Sequence, residues 1–261
     1  MQERQGKGGA GGQAPPHELL PLGECGVIIR LGNELNEATH RKVMAVLHIL
    51  EEGGLPGVKG VVPAFASVTI HYDPVMVWRS RSASEGWHAS IYETVCERLD
   101  SLLAGTRDGH MAFCEKEDEP TVVTIPVCYG GEYGPDLDEV ARFNGLTPEE
   151  VIAIHSEPDY LVYMIGFAPG FPYLGGMSER IASPRRQTPR TSIPAGSVGI
   201  AGKQTGVYPL ATPGGWQLIG RTPLSLFRPE GDIPTLLKAG DLVRFLPIEA
   251  EEYGSLLGQE G

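Results

Sequence analysis

Apolar and polar positions change period along this chain, and the changes divide it into segments. Cys25 to Leu31 is a short apolar run that predicts a strand. Asn36 stands where a helix cap belongs, ahead of Val43, Val46, Leu47 and Leu50, which recur at helical spacing until Gly53 and Gly54 end the pattern. Val58–Val62 and Ser67–Tyr72 are β-rich runs joined through Pro63 and its neighbours, a hairpin closed by Asp73 and Pro74. Ser84 then caps a second helix carrying Trp87, Ile91, Val95, Leu99 and Leu102 on one face and ending near Gly105.

The order βαββα is most of a β-α-β-β-α-β unit. Val122–Val127 supplies its last strand or opens the next domain, and the pattern leaves both open. Glu115 to Glu119 reads as a linker, because its carboxylates repel one another and resist burial. Two short helices follow, each with a capping-box signature: Asp136 with Glu139, and Thr147 with Pro148 and Glu150, separated by Gly145. A structural helical hairpin is favoured over a DNA-reading pair, since Glu149–His155 carries no Arg or Lys. From Tyr160 onward, short β runs alternate with Gly and Pro turns up to a final strand, Asp241–Pro247, and a closed barrel would remove their exposed edges. The expected division is a tail (1–22), an α/β domain (23–118), a barrel domain (119–250) and a C-terminal tail (251–261).

Charge sharpens this picture. The net charge of −12 argues against a protein that coats nucleic acid or anionic membrane. Arg180 to Pro229 nevertheless holds seven basic residues and no Asp or Glu, which leaves −19 on the remainder. A basic field of this kind attracts small anions, although solvated surface arginines would look the same in sequence. The four cysteines show neither a CxxC pair nor His at metal-ligand spacing, so no metal site is expected. No apolar run reaches membrane-span length and the first 16 residues lack a signal-peptide core, so a cytoplasmic protein is expected.

Three segments carry candidate chemistry. Residues 164–176, MIGFAPGFPYLGG, present Phe167 and Phe171 as flat apolar surface. Residues 184–206, PRRQTPRTSIPAGSVGIAGKQTG, place Gly196 and Ser197 near Arg190, Lys203, Gln204 and Thr205, a set suited to an anion. The segment is no P-loop, because Ser197 stands where the first glycine belongs and Gln204 follows the Gly-Lys pair. Residues 212–227, TPGGWQLIGRTPLSLF, add Trp216 as a platform and Arg221, whose fork fits a carboxylate or phosphate. With no acid inside the stretch, Arg190, Lys203 and Arg221 are expected around one ligand pocket. His155 is the candidate proton carrier, or else a helix-end cap.

These three segments, with the terminal GDLVRFLPI, resemble the family that includes the B subunit of bacterial 5-oxoprolinase, the sporulation kinase A inhibitor and the first-subunit region of allophanate hydrolase and urea carboxylase proteins. The resemblance implies an α+β chain with a ferredoxin-like N-terminal domain and a cyclophilin-like β-barrel. It implies use of ATP by an assembled complex that opens 5-oxo-L-proline to L-glutamate, with separate A and C subunits, the latter of the kinase A inhibitor antagonist type. Inhibition of a sensor histidine kinase is the alternative role in that family. Prolyl isomerisation would rest on barrel shape alone.

Overall fold

The computed structural model describes residues 17–34, 36–82, 90–104, 120–231 and 233–258. The chain divides into two units, Met1–Glu117 and Asp118–Gly261.

The first unit runs β1 (Glu18–Pro21), β2 (Gly26–Arg30), α1 (Glu37–Gly53), β3 (Val58–Pro63), β4 (Ser67–Tyr72), α2 (Pro74–Arg79) and α3 (Ile91–Ala104). Its antiparallel sheet has the order β1-β2-β4-β3. Asn36 caps α1 by accepting the Thr39 N–H at 2.8 Å, and Gly54, at φ 53°, ends it in the left-handed conformation. Val27, Ile29, Val68 and Ile70 of the sheet pack with Val43, Val46 and Leu50 of α1 and Val95 and Leu99 of α3.

Two expectations change here. The tail drawn to residue 22 already contains β1, paired from Glu18↔Arg30 to Pro21↔Val27. Asp73 and Pro74 start α2 besides ending the hairpin, with Asp73 Oδ1 accepting the N–H groups of Val75 and Met76. An Asp-Pro pair is a helix start as readily as a turn, since Pro suits the first helical position. The Ser84 cap and Trp87 lie outside the described residues, as do the acidic linker and Cys114.

The second unit contains β5 (Val122–Tyr129), α4 (Leu137–Asn144), α5 (Pro148–Ser156), β6 (Asp159–Ile165), β7 (Pro172–Gly175), β8 (Arg190–Ile193), β9 (Ser197–Ala201), β10 (Gln204–Val207), β11 (Thr212–Gly214), β12 (Gln217–Arg221), β13 (Leu242–Pro247) and α6 (Ala250–Leu257). Seven strands close a barrel in the order β10-β7-β6-β13-β5-β12-β9, while β8 and β11 form a separate two-stranded sheet. Val122–Val127 therefore belongs to this unit, where it runs parallel to β13 from Val122↔Leu242 to Val127↔Pro247. In the first unit, the edge beside β2 is taken by β1.

Closure leaves the alternate residues Ile125, Val127, Val198, Ile200, Val243 and Phe245 facing one core. Helices α4 and α5 cover part of it with Leu137, Val140, Val151 and Ile154. The capping box of α5 forms as its sequence predicts, between Thr147 and Glu150. Residues 250–257 form α6 in place of the expected tail, with Tyr253 buried against Tyr133 at a ring separation of 4.5 Å. Among the described residues no helix is long and apolar enough to cross a membrane.

Candidate functional site

The polar residues of the barrel unit sort into three places. In the last turn of α5, His155 projects into the barrel and is completely buried, its ring stacked on Phe245 at 4.6 Å. Its Nδ1 lies 2.8 Å from the Tyr129 hydroxyl and its Nε2 lies 2.8 Å from Thr205 Oγ1. Thr205 spends its own proton on Gly199 O at 3.2 Å, so its oxygen accepts from Nε2–H and the Tyr129 O–H donates to Nδ1. This tautomer follows from the bonding pattern. Burial drives the imidazole pKa down to about 3, and burial raises the Tyr129 and Tyr160 phenols. His155 is thus a neutral, sealed ring. The imidazole itself is closed off, so the proton-carrier role expected for it would have to run through Tyr129, which is half-buried, while Thr205 is as buried as the ring.

The second place is a hairpin tip. Lys203 sits between β9 and β10, where Gly202 takes φ 59°, and its Nζ is 2.6 Å from Glu179 with both side chains about 70% exposed. Gln204 follows, half-buried, opposite Ala201. Arg221 pairs with Ser197 at the other end of β9, and its Nε donates to Ala195 O at 2.9 Å. Four residue steps of strand, roughly 13 Å, separate those two ends. The expected pocket uniting Arg190, Lys203 and Arg221 therefore does not form. Gly196 and Ser197 also serve the fold: Ser197 is buried, and a Cβ on Gly196 would lie 2.3 Å from Thr222 O.

The third place is built around Asp136, the residue before α4. Its carboxylate makes no cap; Oδ1 accepts from Arg186 Nη1 and Arg190 Nη2, each at 2.8 Å, and Oδ2 accepts from the Leu218 N–H at 2.7 Å. Arg190 thus has a protein counter-charge 54 residues away in sequence. One acid serves two guanidinium groups, and Arg185 beside them has no ion pair among the described residues, so the locality stays positive.

This basic group borders an aromatic cluster. Phe171 packs edge-on against Tyr173, Tyr208 and Trp216 with centroids 5.2–5.8 Å apart. Phe171 and Trp216, expected as exposed surface, are both buried; only Phe167 of that trio is exposed, at 67%. Phe167 has φ 66° and the Ala168 N–H bonds to Gly166 O at 2.8 Å, a γ-turn of the strained, positive-φ kind. Tyr208 is 2% exposed, and its phenol is pushed up to about 12 by burial, against the opposing charges of Arg185 and Arg190.

Asp136, Arg185 and Tyr208 escaped the sequence reading. The capping signature Asp-x-x-Glu concealed Asp136, and only the doubled Arg185–Arg186 hinted at the site. Among the described residues no group of three His, Cys, Asp or Glu side chains could hold a metal ion.

Comparison with known proteins gives the chain a family. The chain is 51% identical over 237 residues to the 5-oxoprolinase B subunit of Bacillus subtilis, covering 91% of this chain and 95% of that one. It is 59% identical over 226 residues to the Escherichia coli O157:H7 protein of the same name, covering 87% and 94%. The solved structure of TTHA0988 superposes with a TM-score of 0.69 at 36% identity, covering 87% of this chain but only 40% of that longer one. The family model described as the carboxyltransferase domain, subdomain C and D, matches residues 17–237, and the chain belongs to that family.

Proposed function

We propose that this chain is the B subunit of an ATP-dependent 5-oxoprolinase that opens 5-oxo-L-proline to L-glutamate together with A and C subunits. The observation that carries the reading is its near end-to-end similarity to proteins named as the B subunit of 5-oxoprolinase. Within the proposal, the barrel is cyclophilin-like, and the N-terminal sheet is a ferredoxin-like unit whose fourth strand position is filled by β1.

The geometry supports a shared site. A five-membered lactam is a poor electrophile, and phosphorylating its oxygen turns its carbon into one that water attacks. Such chemistry asks for cations that hold a carboxylate and phosphates, and for a group that manages protons. Arg185, Arg186 and Arg190 offer the first. The second is assigned to the partners, because His155 is sealed and Asp136 is committed to three hydrogen bonds. Phe167, exposed on a strained turn, is assigned to the partner contact, where aromatic anchors contribute most.

Reconstitution tests the reading. The purified chain is expected to show no 5-oxoproline-dependent ATP hydrolysis, and the mixture with A and C subunits is expected to show it. Turnover by the chain alone would contradict the shared site. An inert complete mixture would contradict the enzymatic role.

A further inference from the structure

Gln217 opens β12 with a side chain that the barrel satisfies only by half, although the residue is just 7% exposed. Its Nε2 donates to Pro184 O at 3.0 Å, and because that carbonyl can only accept, the amide is fixed with Oε1 on the other side. Oε1 is buried and meets no donor among the described residues, whereas buried acceptors ordinarily find one. Gln217 forms one wall of a small cleft between α4 and the Ser183–Pro184 segment, with Val140 behind it and Glu139 and Phe143, one helical turn apart, at its edge. The cleft volume is about 20 Å³, room for a single water-sized group. The capacity left over around it is acceptor capacity. Besides Gln217 Oε1 there is Ser183 Oγ, whose own proton goes to Ile181 O at 3.3 Å, and Glu139, which Arg142 engages through Oε2 alone. The nearby cations are already held, Arg142 by Glu139 and Arg186 by Asp136. Phe143 is 60% exposed, on a helix whose other exposed positions, Asp138, Glu139 and Arg142, are charged.

Acceptors around a water-sized space, beside an exposed aromatic ring, are complementary to a compact cation with several N–H donors, which is an ammonium group. A guanidinium is too broad for the space, and a carboxylate or phosphate would bring acceptors to acceptors. We infer that the cleft receives the ammonium of a lysine side chain from a partner protein, which donates to Gln217 Oε1 and to Glu139 while its stem lies over the Phe143 ring. A protein lysine accounts for the exposed ring where a small free amine does not, because its aliphatic stem gives Phe143 something to pack against and its ammonium stays at the polar end. The partner's identity, the A or C subunit, rests on the proposed function.

Titration calorimetry of the full chain against the A and C subunits tests the docking, with Phe143→Ala and Glu139→Ala as variants because both positions are exposed. Against one partner, each variant is expected to bind roughly tenfold or more weakly than wild type, the size of one lost contact to a charged group. Acetylating that partner's lysines should erase the difference between wild type and the variants. Dissociation constants within twofold of wild type for both variants and both partners would overturn the lysine cleft while leaving the enzymatic reading intact. A difference that survives acetylation would overturn it too.

Should wild type bind neither subunit, the enzymatic reading fails and the cleft is judged on the full chain alone. With 15N-labelled glutamine, the Gln217 side-chain amide resonance, identified by its proximity to Pro184, should shift on adding methylammonium chloride. It should stay in place with tetramethylammonium chloride, which has no N–H to donate. No shift with methylammonium, or equal shifts with both salts, would overturn the cleft.

Discussion

The barrel unit buries two polar networks, and they are built on opposite principles. Around His155 every partner is neutral, a phenol, a hydroxyl and a carbonyl, and the ring itself is fully buried against Phe245. Around Asp136 the partners are charged, unevenly matched and half-open, since one carboxylate meets two guanidinium groups that remain 38% and 23% exposed. A sealed neutral network joins α5 to β5 and β10 and specifies how the barrel packs. A charged network with surplus donors is suited to recognition, because its excess charge is satisfied only when an anion arrives. The residue type alone would have suggested the reverse assignment, with histidine as the reactive group.

The widest gap between the two networks should appear on deleting Asp136. Asp136→Ala leaves the buried Leu218 N–H and two partly exposed guanidinium groups without their acceptor, and a buried donor left unsatisfied costs about 1–3 kcal/mol. Urea unfolding followed by fluorescence, with Trp78 and Trp87 replaced by Phe so that Trp216 reports alone, would measure it. A loss under about 1 kcal/mol, the level of a surface pair, would mean that the network is solvated and the contrast false.

Acid should single out the other network. The pKa of His155 is about 3 in the fold and about 6.5 when unfolded, so between those values the unfolded chain binds a proton that the fold refuses. Stability therefore falls as pH drops below about 6.5, by about 1.4 kcal/mol per unit, or about 2 kcal/mol by pH 5. His40, also lowered by burial, adds the same sign in the N-terminal unit. The check is the pH slope of barrel unfolding in wild type and His155→Gln, which should be shallower in the variant. An unchanged slope would place a proton on His155 in the fold.

The strained turn sets a smaller contrast. Phe167→Gly removes a side chain from positive φ, where strain is about 1–3 kcal/mol, so the isolated chain should be as stable as wild type or slightly more so. Activity of the assembled complex should nevertheless drop. Reduced stability together with full activity would make Phe167 a folding element. Least of all is expected from Lys203→Ala, which breaks a fully solvated pair with Glu179 and should change stability by no more than about 1 kcal/mol in thermal unfolding.

Local patterns explain what was readable. The Asn36 cap, the Thr147–Glu150 box, the β3–β4 hairpin and the turn-rich strands of the barrel depend on neighbours in sequence, and all were legible. Long-range relations were not. A stretch empty of acids looked like a site in need of an anion, yet Asp136 reaches Arg190 from 54 residues away and Glu179 reaches Lys203 from 24. His155 looked like a surface cap because its helix ends there, and only barrel closure brings Tyr129, Thr205 and Phe245 around it. Strand β1 was missed for a similar reason: a four-residue segment gains its identity from pairing with β2.

Under the proposed function, recognition falls to the Asp136-anchored face and not to the β9–β10 hairpin tip. The most direct measurement compares Arg190→Lys with Lys203→Ala in the assembled complex, reading 5-oxoproline-dependent ATP hydrolysis with folding confirmed by circular dichroism. Arg190→Lys keeps the charge but loses the planar fork, and is expected to lower kcat/KM by roughly tenfold or more, while Lys203→Ala stays within about twofold. A collapse with Lys203→Ala and wild-type kinetics with Arg190→Lys would contradict that assignment.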